Sequence, residues 1–241
     1  VNLVLVAHGT RKHRGVSLIG DLAAQVSDAL DRPVRVAFVD VLGPTPRELL
    51  TATLDQPTVL VPAFLARGFH VGGDIPAHVQ SSGHRDVTIT RALGPDPQLI
   101  RVLVDRLIES GWRSQDSVLL AAAGTSDPLA MRDLHTTATW LSATIGSRVE
   151  LAFAATGEPK VADAVVALRR QRPHRGSRVV VASYLLSDGL FQDRLRASGA
   201  DVVTEPLGTH PGVARLIASR FLRAHAAGRS SARPVELPRG A

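Results

Sequence analysis

Short apolar runs alternate with stretches of helical periodicity along nearly the whole chain. The runs LVLVA (3–7), VRVAFV (34–39), TVLVP (58–62) and DVTITR (86–91) predict strands. Helices are predicted between and after them, over 16–30, 45–54, 73–81 and 97–110. In the first helix Leu18, Leu22, Val26 and Ala29 or Leu30 fall on one stripe, and in the last Leu99, Val102, Leu103 and Leu107 do so, with Arg106 at the edge. The second half repeats this order, with strands at 118–122, 148–154, 178–184 and 201–204 and helices at 128–145, 159–170, 188–198 and 211–224. Strands such as VLVP and VLLAA are apolar on both faces, as they must be where helices cover both sides of a parallel sheet. The fold class is therefore α/β.

The repeat extends to the residues themselves. LVLVAHGTR at 3–11 matches VLLAAAGTS at 118–126, VRVAFVD at 34–40 matches VELAFAA at 149–155, and VLVPAFL at 59–65 matches VVVASYL at 179–185. The pattern predicts two similar lobes, 1–113 and 114–224, each a mainly parallel sheet flanked by helices, with a cleft between them. Residues 225–241, rich in Gly, Ser, Arg and Pro, predict a disordered basic tail.

Composition narrows the chemistry. With Cys 0, disulfides, zinc–thiolate sites and cysteine nucleophiles are excluded, and at 4% aromatic residues a base-stacking surface is not expected. Half of the formal charge of +6 sits from Arg223 onward, where arginines 223, 229, 233 and 239 face a single acid, Glu236, so the charge does not predict a nucleic-acid partner. No apolar run approaches the roughly 20 residues needed to cross a bilayer. The first strand runs straight into polar His8-Gly9-Thr10-Arg11 and does not read as a signal peptide. A cytoplasmic monomer without nucleic-acid or membrane partners is the expectation.

In open parallel sheets ligands lie at the carboxyl ends of the strands, and there the two halves differ. His8 after the first strand corresponds to Ala123, Asp40 after the second to Ala155, and His70 after the third to Leu190. Any chemistry should thus reside in the first lobe. His8 reads either as a turn histidine bonded to a neighbouring carbonyl or as a group aimed into the cleft; Gly9 beside it leaves room for a flat ligand or a close backbone. His70 lies in FLARGFHVGGDIP, where Asp74 can cap the following helix, the preferred reading, or orient the His70 ring. Two imidazoles meeting across a cleft can hold a borderline divalent ion such as Co2+ or Fe2+ and accept protons near neutral pH. Held by only two ligands, such an ion is bound weakly enough to be handed on. Asp40 is the candidate for a third ligand or a proton acceptor. Arg11, Lys12, Arg14 and Arg67 are candidates for substrate carboxylates, or else residues of solvated loops. His13, His78, His84, His135, His174 and His225 read as loop or surface residues. The chain has no GxxxxGK[ST] loop, HExxH, GxSxG or GxGxxG motif, and the RHG order of histidine phosphatases is absent.

In LVLVAHGTR, VAFVDVLGPTP, VPAFLARGFHVGGDIP and EPLGTHP the chain resembles the class II chelatases of the CbiX and SirB type, over residues 3–222. The resemblance implies ATP-independent insertion of Co2+ or Fe2+ into sirohydrochlorin, towards cobalamin or siroheme, with no permanently bound cofactor. It places the metal-binding pair on His8 and His70. It commonly has glutamate where this chain has Asp40. Two other readings stay open: a metal or tetrapyrrole carrier without turnover, and a phosphatase-like enzyme using His8.

Overall fold

The computed structural model describes residues 1–9, 13–171 and 176–231. The first half comprises β1 (Asn2–Ala7), α1 (His13–Leu30), β2 (Val34–Phe38), α2 (Pro46–Thr51), β3 (Thr58–Pro62), α3 (Ile75–Ser82), β4 (Val87–Ile89) and α4 (Pro97–Glu109). The second comprises β5 (Ser117–Gly124), α5 (Pro128–Ile145), β6 (Val149–Thr156), α6 (Val161–Arg170), β7 (Val179–Tyr184), α7 (Leu190–Arg196), β8 (Val202–Val203) and α8 (Pro211–Ser231). Each half forms a parallel four-stranded sheet, ordered β2-β1-β3-β4 and β6-β5-β7-β8. Leu5 pairs with Val36 and Val61; at the equivalent place Leu120 pairs with Leu151 and Ala182. The two-lobed, helix-flanked α/β architecture read from the repeat is the one observed.

The lobes do not keep separate cores. One face of the first sheet (Leu3, Leu5, Val59, Val61) and one face of the second (Val118, Leu120, Val180, Ala182) enclose a single apolar layer built from α1, α4, α5 and α8. The outer faces are covered locally. Ile75 of α3 and Leu50 of α2 pack on Val4, Val6 and Leu60, while α6 and α7 pack on Leu119, Ala121 and Val181. Strands sandwiched in this way need apolar residues on both faces, which explains the uninterrupted runs in the sequence.

The last helix of each half crosses to the other. Helix α4 packs on β7 and α5 of the second half, whereas α8 packs on β3 and α1 of the first. Gly212 at the start of α8 has the Val102 side chain of α4 where a Cβ would stand, so the two crossing helices meet closely. Arg220 of α8 is buried and donates to the Leu93 carbonyl at 3.2 Å and to Asp96 at 3.0 Å. The expected boundaries at 113 and 224 therefore divide the sequence but not the packing. The expected tail is also corrected at its start: α8 continues past 224 to Ser231. Residues 232–241 lie outside the described residues. Among the described residues, no helix is long and apolar enough to cross a membrane.

The buried stripe of α1 is Ile19, Leu22, Ala23 and Val26, one position round from the expected one, leaving Leu18 and Leu30 only partly buried. His84, expected at the surface, is buried, with Nε2 3.0 Å from the Thr53 carbonyl oxygen and 3.1 Å from that of Gln56.

Candidate active site

The carboxyl ends of β1, β3, β5 and β7 open into a crevice formed by two adjoining cavities of about 500 Å3 and about 480 Å3. His8 lines both. It stands on the turn directly after β1, where Gly9 takes a left-handed φ of 81°. A Cβ at Gly9 would run into the Asp40 carbonyl oxygen, so the glycine is required by a close backbone, not by space for a ligand.

His70 reaches the same place by another route. Residues 63–69 leave β3 as a loop, and a π-helical turn, His70–Asp74, leads into α3. The turn stacks Asp74 beneath the His70 ring, Oδ2 lying 2.6 Å from Nδ1. Asp74 makes no capping bond to α3, so of the two sequence readings the structure selects ring orientation. With Nδ1 donating to the carboxylate, the lone pair of His70 Nε2 is left for a ligand. The two imidazoles meet with ring centroids 4.6 Å apart at an angle of 33°. Phe64 stacks on His70 at 5.7 Å. Partial burial, then the proximity of His70, lower the His8 pKa below its ordinary 6.5, against the opposing pull of Asp40 and Asp74. His8 thus favours its uncharged, electron-donating form.

Asp40 is exposed at the end of β2, and its carboxylate accepts a hydrogen bond from the Val41 N–H at 2.7 Å. It acts on His8 through its field, and no hydrogen bond joins it to either ring among the described residues. Nor do the described residues contain a group of three or more His, Cys, Asp or Glu able to hold a metal ion. Arg14 is exposed and lines a polar groove with Arg106 and Asp188, adjoining the crevice. Arg11 and Lys12 lie outside the described residues, as does His174. Arg67 lines the crevice, but its guanidinium is committed to Asp133 of α5, with Nη2 to Oδ1 at 2.6 Å and Nε to Oδ2 at 2.9 Å.

The opposite wall comes from the second half. Ala123 and Leu190, the counterparts of His8 and His70, both line the crevice, joined by Leu185, Leu186 and Phe191. Phe69, Leu190 and Phe191 leave 72%, 55% and 38% of their surface exposed. Large apolar side chains left open on both rims of a wide slot suit a broad, flat, partly apolar ligand. Sequence reasoning missed this wall and two buried polar residues behind the histidines, Asp133 and Tyr184. The signals were a lone tyrosine at the end of a strand and an acid within the apolar stripe of α5.

The family model CbiX matches this chain twice, over residues 2–110 and 117–224. A sirohydrochlorin ferrochelatase from Priestia megaterium is 26% identical over 234 residues, which cover 89% of this chain and 87% of that protein. A shorter relative, a sirohydrochlorin cobaltochelatase from Methanothermobacter thermautotrophicus, is 28% identical over 130 residues, covering 44% of this chain and 90% of its own length. Among solved structures, SirB from Bacillus subtilis with Fe3+ superposes with a TM-score of 0.83 at 19% identity, covering 95% of this chain and 97% of that one.

Proposed function

The chain belongs to the CbiX family, and from that premise we propose that it is a sirohydrochlorin chelatase, an ATP-independent enzyme inserting Co2+ or Fe2+ into the macrocycle. The observation that carries the reading is the meeting of two imidazoles, 4.6 Å apart, inside a wide slot with apolar rims. The metal ion is a substrate. His8 and His70 hold it through nitrogen, and the Asp74 carboxylate keeps the His70 ring turned towards it. Leu185, Leu186, Leu190 and Phe191 pack against the face of the macrocycle, whose rim carboxylates meet Arg14, Arg11 and Lys12. Insertion displaces the two pyrrolic N–H protons, and the imidazoles, released as the metal leaves them, take these up and pass them to solvent or to Asp40. Two ligands suit this task, since a third strong one would hold back an ion that must be given up. The enzyme works as a cytoplasmic monomer, without a permanently bound cofactor and without nucleic-acid or membrane partners.

The test is the initial rate of Co2+ and, separately, Fe2+ insertion into sirohydrochlorin, followed by absorbance against a protein-free control. His8→Ala and His70→Ala are each expected to lower the rate by about a hundredfold or more while leaving the fold and macrocycle binding intact. Asp40→Asn is expected to lower it by a smaller factor. Wild-type rates in both histidine variants would sink the assignment. Binding of both substrates without turnover in the wild type would favour a carrier instead.

A further inference from the structure

We propose that the second half of the chain, which presents alanine and leucine where the first presents histidine, serves as the positioning device for His70. This inference rests on the reading of His70 as a metal ligand. The segment that carries the ring is bonded at successive points before it reaches His70. The Phe64 carbonyl accepts from the Leu93 N–H at 2.8 Å. The Leu65 carbonyl accepts from the Tyr184 hydroxyl of β7 at 2.8 Å. Arg67 donates its backbone N–H at 2.9 Å to the Asp133 carboxylate of α5, which its guanidinium also grips.

Tyr184 and Asp133 leave 2% and 3% of their surface exposed. Deep within packed elements, they provide fixed points that a surface loop cannot provide for itself. The position of the tyrosine is set in turn by Gly94, where a Cβ would collide with both the Leu65 carbonyl and the Tyr184 hydroxyl. Beyond Arg67 the support comes from the first half itself: the Gly68 carbonyl accepts from the Val71 and Gly72 N–H groups, and Ile75, directly after the turn, is buried against Val4, Val6 and Leu60. Phe69 is 72% exposed, and the turn His70–Asp74 buries none of its residues. The location of the ring relative to His8 is therefore set between two anchors upstream, at Leu65 and Arg67, contributed by the other half, and the buried Ile75 downstream, contributed by its own. Asp133 and Tyr184 act through the loop and do not touch the reacting atoms; they are positioning residues. Arg67, on this view, is a clamp between halves and not a receptor for substrate carboxylates.

The experiment compares Tyr184→Phe, Asp133→Asn and Arg67→Lys with the wild type and with His70→Ala. It measures kcat and KM for sirohydrochlorin with Co2+, the visible d–d spectrum of the protein with Co2+ alone, and the melting temperature. Tyr184→Phe removes one hydroxyl and keeps the ring, so it remains informative if Asp133→Asn fails to fold. Misplacing the ligand is expected to lower kcat on the order of tenfold to a hundredfold and to alter the cobalt spectrum, assayed well below each melting temperature. KM for the macrocycle should stay within about twofold of wild type, because its contacts lie elsewhere. Wild-type kcat and cobalt spectrum in folded Tyr184→Phe and Arg67→Lys, with both lost in His70→Ala, would overturn the positioning role. A raised KM at unchanged kcat in Arg67→Lys would overturn it too, by making Arg67 a substrate contact. Should His70→Ala itself keep wild-type activity, the failure would belong to the metal-site reading.

Discussion

Asp116, at the joint between the two halves, is buried, and its carboxylate accepts from the backbone N–H groups of Arg113 and Arg178 and from the Arg178 guanidinium at 2.7 Å. Burial alone would raise its pKa, but the bonds from Arg178 and Arg113 outweigh it and leave the carboxyl below its ordinary 3.8. A carboxyl depressed in the folded state adds stability that is fully present above the unfolded value and is lost as pH falls through the folded one. Asp116→Asn should thus lower stability by about 2 kcal/mol at neutral pH, less than a fully enclosed pair because Arg178 reaches solvent. Urea denaturation over a pH series should show the gap from wild type closing below 3.8, and a gap constant into strong acid would refute the linkage. At this scale the sequence announces His8 and His70, because a polar residue ending an apolar strand is conspicuous. It singles out Asp74 but favours the cap over the ring, because the choice depends on a π-helical turn that no spacing rule predicts.

Among the elements, helix starts were legible wherever a side chain can satisfy the open N–H groups of the first turn. Thr45 and Glu48 form a reciprocal capping box around Pro46 at the head of α2, and Asp96 caps α4 through the Gln98 N–H at 2.9 Å. Helix α2 has only 6 residues and little internal bonding, so its cap carries much of its definition. Thr45→Ala should cost about 1 kcal/mol, read as a lowered urea midpoint with an unchanged slope. An unchanged midpoint would mean that the packing of Pro46 and Leu50 alone holds the helix. The direction in which a helical stripe points was less legible: α1 turns Ile19 and Ala23 inward because its core lies between two sheets and not over one.

For the whole molecule, the exchange of α4 and α8 makes each half incomplete. Residues 1–113 by themselves would leave the Leu99, Val102, Leu103 and Leu107 face of α4 without β7, and the inner face of β3 without α8. At about 25 cal/mol per Å2 of apolar surface, that exposure is enough to forbid a stable monomer. Expressed alone, 1–113 should be self-associated or aggregated by light scattering, and coexpression with 114–231 should yield a folded 1:1 complex. A well-folded monomer of 1–113 would show that the shared layer is dispensable.

Read alone, the sequence determined the α/β class, the repeat, the strand ends that present His8, Asp40 and His70, and the asymmetry between the halves. All of these follow from local alternation of apolar and polar residues and from which side chain ends each run. Only the tertiary structure decided that the last helices trade places, that the apolar wall of the crevice comes from the half without the histidine pair, and that Arg67 faces a carboxylate of its own chain. These are pairings between residues far apart in sequence. No local pattern encodes such pairings, because burial is settled by whichever surface arrives to cover it.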